Sequence, residues 1–485
     1  MLLMAFSIIS KILGLLREMV LASKYGAGVI SDSYIVSLSI QNVLFASLSS
    51  AILINYIPIF SKITDEEKRK KFNGDLIGIL LVLISIVITI FLTFNKDILK
   101  LFVAGFSNDS INILSKMVSI TIFSSYFLII GYVLKGYLEY KENFICSAIN
   151  GVLLNVGLIG GILLSSSDKL NILSFGVLVG YGLNFIIMLI FAIKNGFRYK
   201  ASLNIKNEHV KKLVLLTIPL IFNDAVWEIN SIVDKSITSK IGSGYISALN
   251  YGNFIVTVFI TVFIKSVSTI IFPKLVKNID DNNYIQIQLK RIVKYLIIVC
   301  IPVTYLMIIY SNDIIKVIFF RGNFSMESVN ITAIALKLYS LGIIFSSYKS
   351  VMFNLFYARQ ETKIPSICAT ISIIINIILS LVFVNIWSYI GVIIATVISS
   401  FVSSLLLYLF YRKKYESIFT KELFMELFRI IIINIVIIIL ICGFKYFIEL
   451  VNMNYYLYLF VNVIFVGLMA VLYMLILKKS KIEFL

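Results

Sequence analysis

Five charged residues stand inside or beside the first apolar stretches of the chain. Lys11, Arg17, Glu18 and Lys24 interrupt one apolar run, and Asp32 opens the next. A charge near the bilayer centre is costly, so ionisable residues in such runs usually face a cavity or a partner. A guanidinium keeps its proton and binds phosphate oxygens as a bidentate fork. Arg17 therefore predicts an anion site, with Lys11 and Asp32 beside it; the alternative is an arginine that snorkels to the interface or only pairs with Glu18.

The composition shows what kind of element must hold these charges. Of 485 residues, 60% are hydrophobic and 14% are charged, which is typical of an integral membrane protein. The net charge of +18 lies mainly in connections between apolar runs, so nucleic acid is not an expected partner. A single histidine, four cysteines without CxxC spacing and no phosphate-binding loop argue against a metal site, a cofactor, an enzyme or an ATP-driven pump.

The hydropathy pattern predicts an all-α polytopic membrane protein with fourteen transmembrane helices. A bilayer needs about 20 apolar residues per helix. Charges in the first run argue against a cleavable signal peptide. Basic residues cluster after even-numbered helices, for example Arg412 to Lys414, so both termini are expected in the cytoplasm. The predicted runs are 3–23, 32–60, 76–95, 115–134, 144–165, 172–193, 213–234, 245–273, 292–310, 329–357, 364–385, 389–411, 428–447 and 455–477.

The chain repeats itself at an interval of six helices. KYGAGVIS at residues 24–31 recurs as KIGSGYIS at residues 240–247, and GYLEYKENF is echoed by LFYARQETKIP. Six is an even number, so the copies have the same orientation and form a parallel repeat. We predict an N-lobe at 1–200, a C-lobe at 201–415 and an additional helix pair at 416–485. Ala248 stands opposite Asp32, and Lys11 and Arg17 also lack charged counterparts.

A second set of intramembrane charges lies in the later helices. Asp224 and Glu228 are i,i+4 neighbours in the seventh predicted helix, and such acids tend to hold a proton or share a cation. They predict a coupling-ion site for a monovalent cation; the alternative is pairing with lysines. Lys265 and Lys349, in the eighth and tenth helices, are candidate substrate contacts, or lysines that snorkel to the interface.

The opening stretch SKILGLLREMVLASKYGAGVISDSYIVSLSIQN resembles the signature of the MurJ (MviN) lipid II flippases of the multidrug/oligosaccharidyl-lipid/polysaccharide exporter superfamily. IVDKSITSKIGSGYISALNYGN, STIIFPKLVK and LFYARQETKIP resemble later family motifs in the same order. The resemblance implies translocation of an undecaprenyl-pyrophosphate-linked glycan by alternating access in the bacterial cytoplasmic membrane, for peptidoglycan synthesis. It also implies a cationic N-lobe cavity, a lipid-tail groove at the extra helices, coupling to membrane potential or a cation, and cell-wall synthesis enzymes as partners.

The resemblance assigns Arg17 to a functional arginine of the family, and it places Lys11 and Asp32 in the same motif. Three family arginines are missing here, because Phe45 and Ala46 stand in place of two of them in one motif, and Phe254, which follows Asn253, stands in place of the third in another. Asn253 remains a candidate contact. Fewer cations favour a different lipid-linked oligosaccharide of capsule, teichoic or O-antigen type as cargo. Further alternatives are a cation-coupled drug antiporter and a scaffold protein without transport activity.

Overall fold

The computed structural model describes residues 2–264, 275–451 and 453–480, and the described backbone is helical without β-strands. Its helices are α1 (Leu2–Tyr25), α2 (Val29–Phe60), α3 (Glu66–Thr93), α4 (Asn95–Phe102), α5 (Asn108–Thr121), α6 (Ser124–Tyr140), α7 (Phe144–Leu164), α8 (Leu170–Lys194), α9 (Glu208–Ser239), α10 (Tyr245–Phe259), α11 (Asn282–Ile309), α12 (Ser311–Phe319), α13 (Met326–Ser340), α14 (Ile343–Ala358), α15 (Lys363–Trp387), α16 (Tyr389–Lys414), α17 (Lys421–Leu450) and α18 (Tyr455–Lys479). A π-helical turn, Ile260–Ile264, extends α10.

The expectation of an all-α polytopic membrane protein is confirmed. Within the described ranges, ten helical segments are long and apolar enough to cross a bilayer, and the pair α13 and α14, bent by 47°, makes eleven. Each of the fourteen predicted runs overlaps a helix. The number of fourteen spans remains a prediction, because the segments of the first, fifth and seventh runs are not among those eleven.

Polar residues in the connections explain where several helices begin. A side chain at the N-cap accepts a hydrogen bond from a backbone amide of the first turn, which would otherwise have no partner. Asp65 does this for Lys68 at the start of α3, and Thr420 does it for Leu423 at the start of α17. The same capping residue types precede α5, α9, α11 and α18, namely Ser107, Asn207, Asp281 and Asn454.

The chain divides into two compact units. One contains Met1–Tyr251, Phe319–Val329 and Ser380–Val392, and the other contains Gly252–Ile318, Asn330–Leu379 and Ile393–Leu485. This division assigns α9 to the first unit, together with α1 to α8. The lobe boundaries predicted near 200 and 415 remain predictions.

The internal repeat recurs in details of local structure. A short helix, α4 in the first copy and α12 in the second, follows the third predicted span of each copy. Ser107 and Ser325 each cap the next helix and lie 3.0 and 2.9 Å from the hydroxyl three residues later. Glu142 and Gln360 each adopt a left-handed backbone conformation with φ of 59° after the fourth span. Such matched irregularities indicate that the two copies fold alike.

Helices α17 and α18 are fastened to α11 by polar contacts within the second unit. Tyr310 donates to Asn462 Oδ1 over 2.9 Å, and Lys445 donates to the carbonyl of Ile309 over 2.6 Å. Tyr473 links the same helices by donating to the carbonyl of Ile298. Most apolar side chains of α18 are exposed, as expected of a surface that faces lipid rather than water.

Candidate functional site

Arg17 lies on α1 and is the centre of a small polar cluster. Its side chain keeps 18% of its surface exposed, and its guanidinium pairs with the carboxylate of Glu18. Arg17 Nη1 also lies 3.5 Å from Asn155 Oδ1 on α7, a long contact. The cluster therefore joins α1 to α7 through a cation inside an apolar helix pair.

Asn155 is held by two further hydrogen bonds that orient its amide. Asn155 Nδ2 donates to the carbonyl of Gly151 over 2.7 Å and to the carbonyl of Ser10 over 3.3 Å. With the amide nitrogen directed at these carbonyls, the side-chain oxygen is left to face Arg17. Asn155 thus makes one polar contact within α7 and two to α1.

Glu18 connects the cluster to α10. Its side chain is almost completely buried, and its second oxygen lies 3.4 Å from Asn250 Nδ2. Arg17 Nε is buried and has no hydrogen-bond partner among the described residues. A buried donor without a partner is costly. An anion that reached Arg17 could use this donor and would compete with Glu18 for the others, so the cluster can bind an anion by exchanging partners.

Asp32 lies at the start of α2 with no exposed surface. Its Oδ2 accepts the backbone amide of Gly244 over 2.6 Å, and its Oδ1 accepts that of Ser247 over 2.7 Å. Tyr245 begins α10, so the carboxylate supplies an N-terminal cap from a different helix, where negative charge is favourable. Both oxygens are used, and the predicted contact of Asp32 with substrate remains a prediction.

The segment around Asn323 also contacts the α1–α2 turn within the first unit. Asn323 donates its backbone amide to the carbonyl of Ser23 over 2.8 Å and its side-chain amide to the carbonyl of Lys24 over 2.7 Å. Gly26 has φ of 66°, and a Cβ there would lie 2.5 Å from the Asn323 carbonyl oxygen, so only glycine fits. We call residues 23–28, 244–247 and 321–324 the turn cluster.

The other predicted site residues are distributed along both units. Lys11 is half-buried on α1, about 9 Å along the axis from Arg17 by helix rise, and Glu228 is half-buried on α9. Asn253 is exposed on α10 and Lys349 is half-buried on α14; both belong to the second unit. Lys265 lies outside the described residues, and so does the side chain of Asp224, which the coupling-ion prediction also needs.

The positions where family arginines are missing have ordinary packing roles where the structure describes them. Phe45 on α2 is completely buried, and Ser49 donates to its backbone carbonyl over 2.8 Å. Ala46 and Phe254 are partly buried. Among the described residues of α1 and α2, Arg17 is the one arginine.

Three asparagines of the site were not among the predicted residues. Asn155 and Asn250 contact the Arg17–Glu18 pair, and Asn323 joins the turn cluster. The signal for Asn155 was available, because a lone amide in a run of Val, Leu, Ile and Gly needs an internal partner. The partner itself depends on which helices pack together, and that was not readable from one sequence.

The long apolar helices define a multi-pass membrane protein, and α1 adds a largely buried arginine to it. A solved inward-facing MATE-family multidrug resistance transporter of the MOP superfamily matches with a TM-score of 0.71 over 84% of this chain and 94% of its own, at 11% identity. At that identity the match shows the fold alone. A solved structure described as lipid II flippase MurJ in an inward closed conformation matches with a TM-score of 0.85 over 99% of this chain and all of its own, at 26% identity.

The family model for lipid II flippase MurJ matches residues 21–467. A probable lipid II flippase MurJ of Treponema pallidum is 23% identical over 77% of this chain and 74% of its own length. The corresponding protein of Buchnera aphidicola from Acyrthosiphon pisum is 26% identical over 76% of this chain and 74% of its own length. The chain belongs to the MurJ family, and the resemblance drawn from its motifs is confirmed.

Proposed function

We propose that this protein is a transporter that moves lipid II from the inner to the outer leaflet of the bacterial cytoplasmic membrane for peptidoglycan synthesis. The observation that carries the proposal is the match to MurJ, in sequence over residues 21–467 and in fold over 99% of the chain. Lipid II presents a pyrophosphate, and a guanidinium is the side chain best suited to bind it. In this proposal Arg17 contacts the pyrophosphate, and Lys11 adds charge on the same helix.

We assign Asp32 a positioning role in the transport cycle. Its carboxylate ties the start of α2 to the start of α10, and by the charge distribution of the loops this end of the helices faces away from the cytoplasm. While these turns stay joined, the headgroup path to the outer leaflet is closed on that side. Release of the cargo then requires the α1–α2 turn and the α9–α10 turn to separate.

The polyprenyl tail needs an apolar surface that is open to the membrane. A groove of about 380 Å³ lies between α11, α12 and α18 in the second unit, and Leu306, Val317 and Val463 are among its apolar lining residues. We propose that the two C-terminal helices serve the tail, and that α18 does so by lining this groove. Their extensive exposed apolar surface supports that role.

Energy coupling is proposed to involve an acidic residue of α9. We keep membrane potential or a monovalent cation as the coupling source, with Glu228 as the described candidate ligand. Asn253 and Lys349 are retained as candidate contacts on the C-lobe. Both termini are proposed to lie in the cytoplasm, from the positive-inside rule, and cell-wall synthesis enzymes remain expected partners.

Loss of Arg17 tests the proposed site in cells. In a strain depleted of its own lipid II flippase, we expect Arg17→Ala to fail to restore growth although the protein reaches the membrane in normal amounts. Arg412→Ala removes an exposed arginine in the last turn of α16 and should restore growth fully. Growth of the Arg17→Ala strain at the wild-type rate would contradict the role given to Arg17.

Native mass spectrometry of the purified protein distinguishes lipid II from the other lipid-linked glycans. The mass of a co-bound lipid identifies its repeat unit directly. We expect the mass of undecaprenyl pyrophosphate carrying the peptidoglycan disaccharide and its peptide. A capsule-type, teichoic or O-antigen-type mass in its place would support the alternative cargo.

A further inference from the structure

A second basic site lies in the first unit, apart from Arg17. A cavity of about 220 Å³ opens at the start of α3, the end of α6 and the segment after α8, where the predicted connections after the second, fourth and sixth spans meet. Four cationic residues line it and one acidic residue does, namely Arg69, Lys70, Lys141, Arg198 and Glu66. These connections follow even-numbered predicted spans, so the cavity faces the cytoplasm in the predicted topology.

Arg69 is fixed in place at this cavity. Its Nε donates to the carbonyl of Ile63 over 2.6 Å, and its Nη2 donates to the hydroxyl of Tyr140 over 3.1 Å. Its guanidinium carbon lies 5.0 Å from the ring centre of Phe60 and 5.7 Å from that of Tyr140. Cation–π contacts and two hydrogen bonds hold the planar group in one orientation, which leaves three of its five N–H donors for a ligand.

The charges at this cavity are largely uncompensated. Lys70 pairs with Glu67 over 2.7 Å, whereas Arg69, Lys141 and Arg198 form no ion pair with any described residue. The Lys141 ammonium lies 5.9 Å from the ring centre of Tyr137, a neutral partner. Three cations therefore surround a polar cavity without a matching number of carboxylates.

The segment that carries Arg198 is fastened to α3. Asn73 donates to the carbonyl of Arg198 over 3.0 Å, and the backbone amide of Lys200 donates to the carbonyl of Lys70 over 3.1 Å. A Cβ at Gly74 would lie only 1.8 Å from the Lys200 carbonyl oxygen. This close approach holds the segment around Arg198, which forms one wall of the cavity, against α3.

At the equivalent position in the second copy, an acidic residue of the same copy offsets the positive charge. Lys141 corresponds to Arg359, because each precedes the left-handed residue of its copy, Glu142 or Gln360. Glu361 follows Gln360 and pairs with Lys414 over 2.6 Å.

The Glu361 carboxylate stays charged in that arrangement. Burial alone would raise the pKa of Glu361, but hydrogen bonds from Lys414 and Tyr415 and the nearby charge of Arg359 lower it below its ordinary value. The first copy has Asn143 at the corresponding position. The excess of positive charge is therefore a property of the first copy and is not required by the shared architecture.

Topology alone does not account for this arrangement. The positive-inside rule depends on the number of Lys and Arg residues near the cytoplasmic ends of helices, and exposed lysines such as Lys62, Lys68 and Lys71 serve it. It does not require an arginine held against two aromatic rings or a cavity shaped by three connections.

We propose that this cavity binds a phosphate group at the cytoplasmic surface, presented by an anionic phospholipid headgroup or by a soluble phosphate compound. Arg69 supplies a preorganised fork, and Lys141 and Arg198 supply charge around it. The site goes beyond the proposed translocation function, since none of its residues belongs to the Arg17 cluster or the turn cluster.

Binding of two probes by matched variants tests this site. We compare the full chain, the triple variant Arg69→Gln, Lys141→Gln, Arg198→Gln and the control Lys62→Gln, Lys68→Gln, Lys71→Gln. The control removes three exposed cations of the same region without touching the cavity. Native mass spectrometry measures binding of phosphatidylglycerol against zwitterionic phosphatidylethanolamine, and thermal denaturation in rising inorganic phosphate measures binding of the soluble anion.

The expected result is at least tenfold weaker binding of one phosphate probe by the cavity variant and less than twofold weaker binding by the control. Loss of phosphatidylglycerol binding identifies a lipid headgroup, and loss of the phosphate-induced thermal shift identifies a soluble source. Equal weakening in both triple variants, or in neither, overturns the proposal. If the cavity variant is not monodisperse, Arg69→Lys alone, which keeps the charge but loses the fork, is compared with Lys62→Gln under the same criteria.

Discussion

At the scale of single residues, the site is organised by how one buried cation is shared among neighbours. Arg17 contacts Glu18 and Asn155, and Glu18 reaches Asn250. The guanidinium is thus partly neutralised by Glu18, and its Nε has no hydrogen-bond partner in the part of the chain that the structure describes. An arginine in this state can receive a pyrophosphate by exchanging one carboxylate for another anion, which avoids leaving a bare charge in the membrane.

Asn155 offers a stability test at this scale. Asn155→Ala removes an interhelical hydrogen bond to Ser10 and the contact to Arg17, and we expect the free energy of unfolding to fall by about 1 kcal/mol. Asn385→Ala is the matched control, because Asn385 is exposed and its side chain donates to the carbonyl of Leu381 in its own helix. Titration with a denaturing detergent measures both. An equal effect in the two variants would rule out a special role for Asn155.

The sequence predicted Arg17 but not its surroundings, for a physical reason. A charge in an apolar run signals a function whatever the neighbours are, since the cost of burial is local. Which side chains compensate it depends on the packing of α1 against α7 and α10. Asn155 is 138 residues away from Arg17 along the chain, and a single sequence does not show that the two side chains are close in space.

At the scale of elements, the Asp32 carboxylate is a cap supplied from another helix. It joins α2 to the first turn of α10 across 212 residues of chain. The repeat correctly singled out the turns at residues 24–31 and 240–247 and the asymmetry between Asp32 and Ala248. It did not indicate that the acid of one copy would cap the helix of the other. Likewise, the long tenth predicted span is broken near Gly342 into α13 and α14, a bend that its hydropathy conceals.

Removing this cap should loosen the turn cluster. Ser31 is completely buried beside Asp32, so in a protein whose native cysteines are replaced, Ser31→Cys should resist a membrane-impermeant maleimide added from outside the cell. Adding Asp32→Ala leaves two backbone amides without their acceptor, and we expect labelling to rise at least fivefold. Asp109→Ala, which removes an exposed acid from the first turn of α5, should leave labelling unchanged. Unchanged labelling in the Asp32→Ala protein would show that the cap does not hold the turns together.

At the scale of the whole molecule, one helical architecture serves two copies whose chemistry has diverged. Matched irregularities, such as the serine caps at Ser107 and Ser325, show the common plan. Among the described residues, Arg69, Lys141 and Arg198 of the first copy have no ion-pair partner, whereas Lys414 of the second copy pairs with Glu361 near the charge of Arg359. Hydropathy and the repeat were enough to predict the fold class, because both depend on averages over many residues. The number of spans and the lobe boundaries depend on local detail and remain predictions.

Translocation of lipid II in reconstituted vesicles tests the central claim most directly. The purified protein is placed in vesicles that contain lipid II with a fluorescent headgroup, and a membrane-impermeant quencher reports the label that reaches the outer leaflet. We predict a rate at least tenfold above protein-free vesicles, a return to the protein-free rate for Arg17→Ala, and an intermediate rate for Arg17→Lys, which keeps the charge but loses the fork. A wild-type rate equal to that of protein-free vesicles would contradict the account.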